Sequence, residues 1–364
     1  MATEVKLSGD ALELQGGVRV TFVRTLRLPE TGTYPLPPGL GTFPLRRVAD
    51  YPDTVPEEWR ERGGVMVPVY QREAMWLRFS ATTPTALKVA VGKVCAVSGK
   101  PWSDALTKDP QNYLALPEQP WLDGINSGEG TVRQFVAVPM GLGATVEGQV
   151  TGTEQWGGVQ LAVHGLTDAA RDAWNLQEQA RRAARPPTGP KPPWLQDSSA
   201  PYAGAAPYAG PVPVSALPPL GAAPAGMPAP GAAPRAGGPT ARKMGMGAGG
   251  TMRQEIFADK RPIDDYRTIA GGRVFVHLTS AAEWQQITGE PAPPTPITAQ
   301  AYAANGLPWF DYYDADADDL PPSTELADVK PTGNWLADEH PNPPIGYGLP
   351  VIPLGDNTVQ DGNW

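Results

Sequence analysis

Val18-Arg-Val-Thr-Phe-Val-Arg-Thr-Leu-Arg-Leu28 is the stretch on which the fold turns. It is dense in β-branched residues, and its polar side chains fall mostly at every second position, the period of a strand with one face against a core. The same texture returns at 74–79, 87–97, 131–138, 145–150 and 157–164, giving about six strands. Pro139-Met-Gly-Leu-Gly143 and residues 152–158 read as turns, so the last three strands are expected to form an antiparallel meander. Apart from a short turn at 56–62, no helical run separates these strands. Parallel pairing needs long crossovers, so the expected fold is mainly β, an antiparallel β-sandwich or barrel.

Working outward, Thr167 opens a clear helix, with Asp168 in its first turn and Arg181, Arg182 and Arg185 at its end, where the helix dipole favours cations. Beyond it the composition changes. Of the 66 residues from 185 to 250, 43 are Pro, Ala or Gly, too little bulky apolar surface to offset the entropy of ordering the backbone. The expected organisation is therefore a β-rich domain at 1–166, an exit helix at 167–185, a disordered linker at 186–250, and a small irregular α+β piece at 251–364 docking on a β-domain. In that last piece 274–278 reads as a strand, and Ser280 with Glu283 has capping-box spacing for a helix over 281–288 stopped by Gly289. A weaker helix is expected at 299–304, and the prolines beyond 321 argue against regular structure.

Charge follows the same division. Residues 185–250 carry 5 basic residues and 1 acidic, whereas 251–364 carries 6 basic and 17 acidic, so most of the net charge of −9 resides at the C-terminal end. An acidic piece repels phosphate backbones and anionic lipid, which argues against nucleic acid and membrane surfaces as partners. The single cysteine, Cys95, excludes an intramolecular disulfide, and its apolar neighbours suit a buried thiol. No signal-peptide pattern opens the chain and no apolar run is long enough to span a bilayer, so the expected compartment is the cytoplasm.

A set of segments carries a resemblance. Trp121-Leu-Asp-Gly-Ile125, Val132-Arg-Gln-Phe-Val-Ala137, Gly141-Leu-Gly143 and Thr145-Val-Glu-Gly-Gln-Val-Thr-Gly152 lie before the linker. Met252-Arg-Gln-Glu-Ile256, Phe275-Val-His277, Ile287-Thr-Gly-Glu290 and Gly306-Leu-Pro-Trp-Phe-Asp-Tyr312 lie after it. Together they resemble a family of uncharacterised microbial proteins. The resemblance implies a shared architecture and no activity.

Chemistry-bearing motifs are sparse. Asp314, Asp316, Asp318 and Glu325 match positions 1, 3, 5 and 12 of an EF-hand loop, but Asp319 replaces the turn glycine and Pro321 and Pro322 follow, which favours a solvated acidic loop over calcium. His164, His277 and His340 are scattered and lack ligand spacing, and no cofactor is implied. Gly92 to Lys100 resembles a phosphate loop only loosely, because Pro101 stands where Ser or Thr is required. Asp123, Glu129, Glu147 and Glu154 could supply a carboxylate pair for a hydrolase. Trp102, Trp121 and Trp156, if exposed on one face, would suit a carbohydrate-binding sandwich, with or without calcium. The stronger lead is Trp309-Phe-Asp-Tyr-Tyr313, whose rings Trp309, Phe310, Tyr312 and Tyr313 form an anchor patch, together with Trp364. These point to a non-catalytic scaffold or assembly protein acting through protein association, with itself as a possible partner. A flexible linker of this length spans ~45 Å, enough for one copy to reach another.

Overall fold

The computed structural model describes residues 5–37, 39–184, 243–294, 319–332, 358–359 and 362. Within them the protein is mainly β and predominantly antiparallel. Val18–Thr25 pairs on one side with the hairpin Val5–Ser8 and Ala11–Leu14, and on the other with Ala74–Ser80. Ala74–Ser80 reaches Thr131–Pro139, which pairs along its length with Met244–Arg253. Met244 meets Leu278 at the corner where the sheet passes into Gly272–Ser280, then Val159–Gly165, then Thr85–Val91 and Leu114–Leu116. Two pairings are parallel: Gly272–Ser280 with Val65–Val69, and Met244–Arg253 with Thr33–Tyr34.

Both faces of the central strands are buried, and every residue of Thr85–Val91 and of Val159–Gly165 is enclosed. One face carries Leu87, Val89, Val91, Leu161, Val163, Val274 and Val276 into a single apolar core shared with Val20, Phe22, Leu77 and Phe135. A smaller cluster gathers Val48, Val55, Trp59, Met66, Trp284 and Ile287, seating the helix Ala281–Thr288. That helix has the capping box read from its sequence, Ser280 Oγ accepting from Glu283 N–H while the Glu283 carboxylate accepts from Ser280 N–H.

Three expectations need correction. Residues 145–150 are not a strand: Val146–Thr151 is a helix, with Thr145 Oγ accepting from Gly148 N–H at its start. Val146 and Val150 are spaced for one helical turn, and the next strand in the sheet comes from beyond the linker instead. Residues 244–250, assigned to the linker, form most of the strand Met244–Arg253 and are fully buried. Their glycines are required by close approach, since a Cβ on Gly249 would meet the Val136 side chain at 2.6 Å and one on Gly250 the Pro29 carbonyl at 2.1 Å. The segment after residue 251 is likewise not a piece resting on a finished domain, because Gly272–Ser280 lies between Val159–Gly165 and Val65–Val69.

The helix Asp168–Ala184 begins with Ala170 N–H donating to Thr167 Oγ and has no buried residue. Among the described residues no helix is long and apolar enough to cross a membrane. The helix expected at 299–304 lies outside the described residues.

Candidate functional site

The core strands have a second face, and it is not apolar. Strand alternation puts Ala86, Lys88 and Ala90 opposite the core side of Thr85–Val91, and the register aligns them with His164, Ala162 and Gln160. Gln160 and Ala162 in turn face Phe275 and Arg273. Three small, buried alanines thus separate two basic groups, an imidazole and an aromatic ring. Residues 92–113 and the helix Glu57–Arg62 supply side chains to this face.

At one end His277 is completely enclosed. Its ring stacks on Trp59 at 4.6 Å and lies 4.5 Å from Phe275, and Nε2 contacts the Gly63 carbonyl at 2.9 Å. Burial drives its pKa down to about 3, more than the Gly63 bond restores, and the Arg62 charge lowers it further. Above it is an aromatic and cationic cluster. Arg62 lies 4.7 Å from the Trp156 ring centre and 5.5 Å from that of Phe275, and Lys93 Nζ lies 3.8 Å from Trp156. Arg62 also donates to the Trp156 carbonyl at 3.3 Å, which fixes the guanidinium beside the ring. Lys243 pairs with Glu58 at 2.6 Å and Arg273 with Asp104 at 3.3 Å on the rim. The adjoining cleft, lined by Arg62, Trp156, Phe275 and Lys243, has space of about 10 Å³, enough for one water and too little to enclose a substrate.

At the other end Lys88 donates to the Ala105 carbonyl at 2.5 Å, with its amine 5.4 Å from the Trp102 ring centre. Burial lowers its pKa, against the pull of Cys95 and Asp104. His164 donates from Nδ1 to the Arg267 carbonyl at 2.9 Å, and its buried Nε2 has no hydrogen-bond partner. Cys95 is buried, with Sγ 3.4 Å from the Asn112 carbonyl.

Of the carboxylates singled out from the sequence, Glu147 and Glu154 bind backbone amides around one helix and Asp123 is enclosed. Glu147 accepts from Gln155 N–H and Trp156 N–H at 2.9 Å and from Gly157 N–H at 2.8 Å. Glu154 fills the glycine-rich turn before the same helix, accepting from Gly141, Gly143 and Thr145 N–H and from Thr145 Oγ. Partial burial opposes its charge, but these four donors hold its carboxyl below the ordinary range. Asp123 is fully enclosed elsewhere in the sheet and neither oxygen has a well-formed hydrogen bond. Burial pushes its carboxyl well above the ordinary range, with only Trp121 acting against it. Glu129 occupies a left-handed turn position at φ 54°.

The tryptophans are half-buried, and they do not share one face. Trp102 and Trp156 lie under lysines, whereas Trp121 pairs with Arg78 beside Gln119 and Gln254. Of the calcium-like loop, Asp319 accepts from Ile256 and Gly130 N–H and Glu325 pairs with Lys100, so both carboxylates serve internal contacts. Asp314, Asp316 and Asp318 lie outside the described residues, as do His340 and the anchor candidates Trp309, Phe310, Tyr312, Tyr313 and Trp364. Among the described residues no three acidic, histidine or cysteine side chains converge on a metal position. Lys100, at the end of the phosphate-loop-like run, points to Glu325.

The cluster around Trp156 escaped the sequence because it is drawn from four distant segments: 57–62, 93, 156 and 273–277. No local spacing signals it, since only Trp59, beside Arg60, has a basic neighbour in the sequence. No protein-family model matches the chain, and neither a curated protein nor a solved structure resembles it significantly.

Proposed function

We propose that the protein is a non-catalytic assembly protein that associates with acidic protein surfaces, its own copies included, through the face centred on Trp156. The observation that carries this is the placement of Arg62 and Lys93 within 4.7 Å and 3.8 Å of one half-buried tryptophan, on a chain whose net charge is −9. A cation held against an aromatic ring keeps its charge while losing rotamer freedom, so little further ordering is needed when an acidic partner arrives. Such rings and guanidinium groups are the residue types enriched where protein interfaces concentrate their binding energy. The partner chemistry is present in the chain itself, because residues 251–364 carry 17 acidic side chains against 6 basic ones. An open cluster with room for one water suits a flat protein surface better than a small substrate. Sugar stacking is disfavoured because the Trp102 and Trp156 rings are already covered by the Lys88 and Lys93 amines.

Sedimentation velocity on the full chain tests this. The wild type is expected to form dimers or larger species at low ionic strength, declining as salt screens the charges. The double variant Lys93→Glu, Lys243→Glu, with an unchanged circular dichroism spectrum, is expected to remain monomeric. A wild type that is monomeric at every concentration and salt, or association that is equal in the variant, refutes the proposal.

A further inference from the structure

We propose that Lys88 is a modification site for carbon dioxide, which it takes up as a carbamate with His164 as the proton acceptor. The inference does not depend on the Trp156 face acting as an association surface.

Lys88 is 2% exposed, and no described carboxylate forms an ion pair with it. Its bonding partners are neutral, the Ala105 carbonyl at 2.5 Å and Ser103 Oγ at 3.5 Å. Asp104, whose charge acts on Lys88, has a side chain 72% exposed and already engaged by Arg273 and by the Trp102 indole N–H at 3.2 Å. A buried ammonium without a paired carboxylate is costly, so burial lowers the Lys88 pKa, against the pull of Cys95 and Asp104, and raises the share of uncharged amine. An uncharged lysine amine is a nucleophile.

His164 is the complementary group. The register pairs Ala86 with His164 and Lys88 with Ala162, which makes Lys88 and His164 diagonal neighbours on adjacent strands. Diagonal neighbours stand about 7–8 Å apart at the backbone, within reach of a long side chain. Because a carbonyl can only accept, the contact with the Arg267 carbonyl places the proton on Nδ1, and the neutral ring leaves Nε2 as a bare acceptor. That atom is buried and has no partner. An amine without a counter-ion thus shares a buried face with a base without a proton.

The chemistry balances without any other reactant. The Lys88 lone pair attacks the carbon of CO₂ and a nitrogen–carbon bond forms. One carbon–oxygen π pair moves onto oxygen, and an amine proton passes to His164 Nε2. Two neutral groups become a carbamate and an imidazolium, so the net charge of the enclosed site is unchanged. The remaining carbamate N–H retains its bond to the Ala105 carbonyl. CO₂ suits the site because it is small and uncharged, so it enters without the desolvation cost of an anion. Residues 103–105, which lie over Lys88, are exposed and provide the route.

The full chain is equilibrated with ¹³C-labelled bicarbonate at neutral pH, carbamates are trapped by alkylation with triethyloxonium, and the adducts are located by peptide mass spectrometry. The labelled adduct is expected at Lys88 at more than tenfold the level at the exposed Lys100 and Lys108, and is expected to vanish when the wild type is unfolded in urea before labelling. In His164→Gln the Lys88 adduct is expected to fall at least severalfold. A Lys88 level no higher than that of the exposed lysines overturns the proposal, as does one unaffected by urea. The urea comparison uses only the wild type, so it stands even if the variant folds poorly.

Discussion

His277 offers the most direct measure of what the aromatic and polar face contributes to stability. Its pKa is about 3 in the folded protein against an ordinary 6.5, because the ring is enclosed between Trp59 and Phe275. The folded state therefore favours the uncharged ring, whereas the unfolded chain takes up a proton below pH 6.5. Stability from this group is fully present above the unfolded pKa and is lost as pH falls toward the folded one. The loss is about 2 kcal/mol between pH 7 and pH 5, and about 4 kcal/mol if carried to pH 3. Against a total of about 5–15 kcal/mol for a typical domain, the first of these is readily measured. His164 is shifted in the same direction by burial, so wild-type acid sensitivity contains both contributions. His277→Phe isolates one. It keeps an aromatic ring between Trp59 and Phe275 but leaves the Gly63 carbonyl without its donor, at a cost of about 1–3 kcal/mol at pH 7. Urea unfolding at pH 7 and pH 5 should show the variant losing about 2 kcal/mol less than wild type over that interval. Identical losses in the two proteins would refute the assignment of a buried, uncharged His277.

Other expectations follow from individual contacts. Asp123 has a raised folded pKa, so its contribution is present below the unfolded value and declines as pH rises, by about 1.4 kcal/mol per unit until the buried carboxyl ionises. Asp123→Asn should therefore be more stable than wild type at pH 7 in urea titrations, with the gain shrinking toward pH 4. Glu154→Gln replaces a carboxylate that accepts from four donors with an amide whose NH₂ faces some of them, and should cost about 1–3 kcal/mol at pH 7. The lowered Glu154 pKa means that this penalty should fade below the ordinary carboxyl value of 4.5, a check available from the same titration at pH 3. Trp284→Ala opens a cavity among Val48, Val55, Trp59, Met66 and Ile287 and should cost about 3–5 kcal/mol, measured by thermal or urea unfolding.

Much of the strand content was legible because alternation is a local signal. Val18–Thr25, Thr131–Pro139 and Gly272–Ser280 declare themselves through β-branched residues and Ala74–Ser80 through alternation alone, and Ser280 with Glu283 and Gly289 declares both ends of a helix. Two failures have physical causes. Thr145-Val-Glu-Gly-Gln-Val150 has apolar residues compatible with either period, and the Glu147 and Glu154 carboxylates decide for the helix by satisfying its flanking loops. Met244-Gly-Met-Gly-Ala-Gly-Gly250 resembles a flexible linker by composition, yet its glycines are what allow neighbouring chains to pack against it.

By itself the sequence determined the β class, the helix caps, the lone buried thiol and the acidic bias, since each depends on composition or on spacing within a few residues. Only the tertiary structure decided that a strand from beyond the linker pairs with Thr131–Pro139, and that Arg62, Lys93, Trp156 and His277 share one face while Lys88 and His164 share its other end. Strand alternation fixes which residues lie on the same side of a strand, but not which strand lies next to it. That choice is made by burial of the common core, a property of the whole chain that no short window contains.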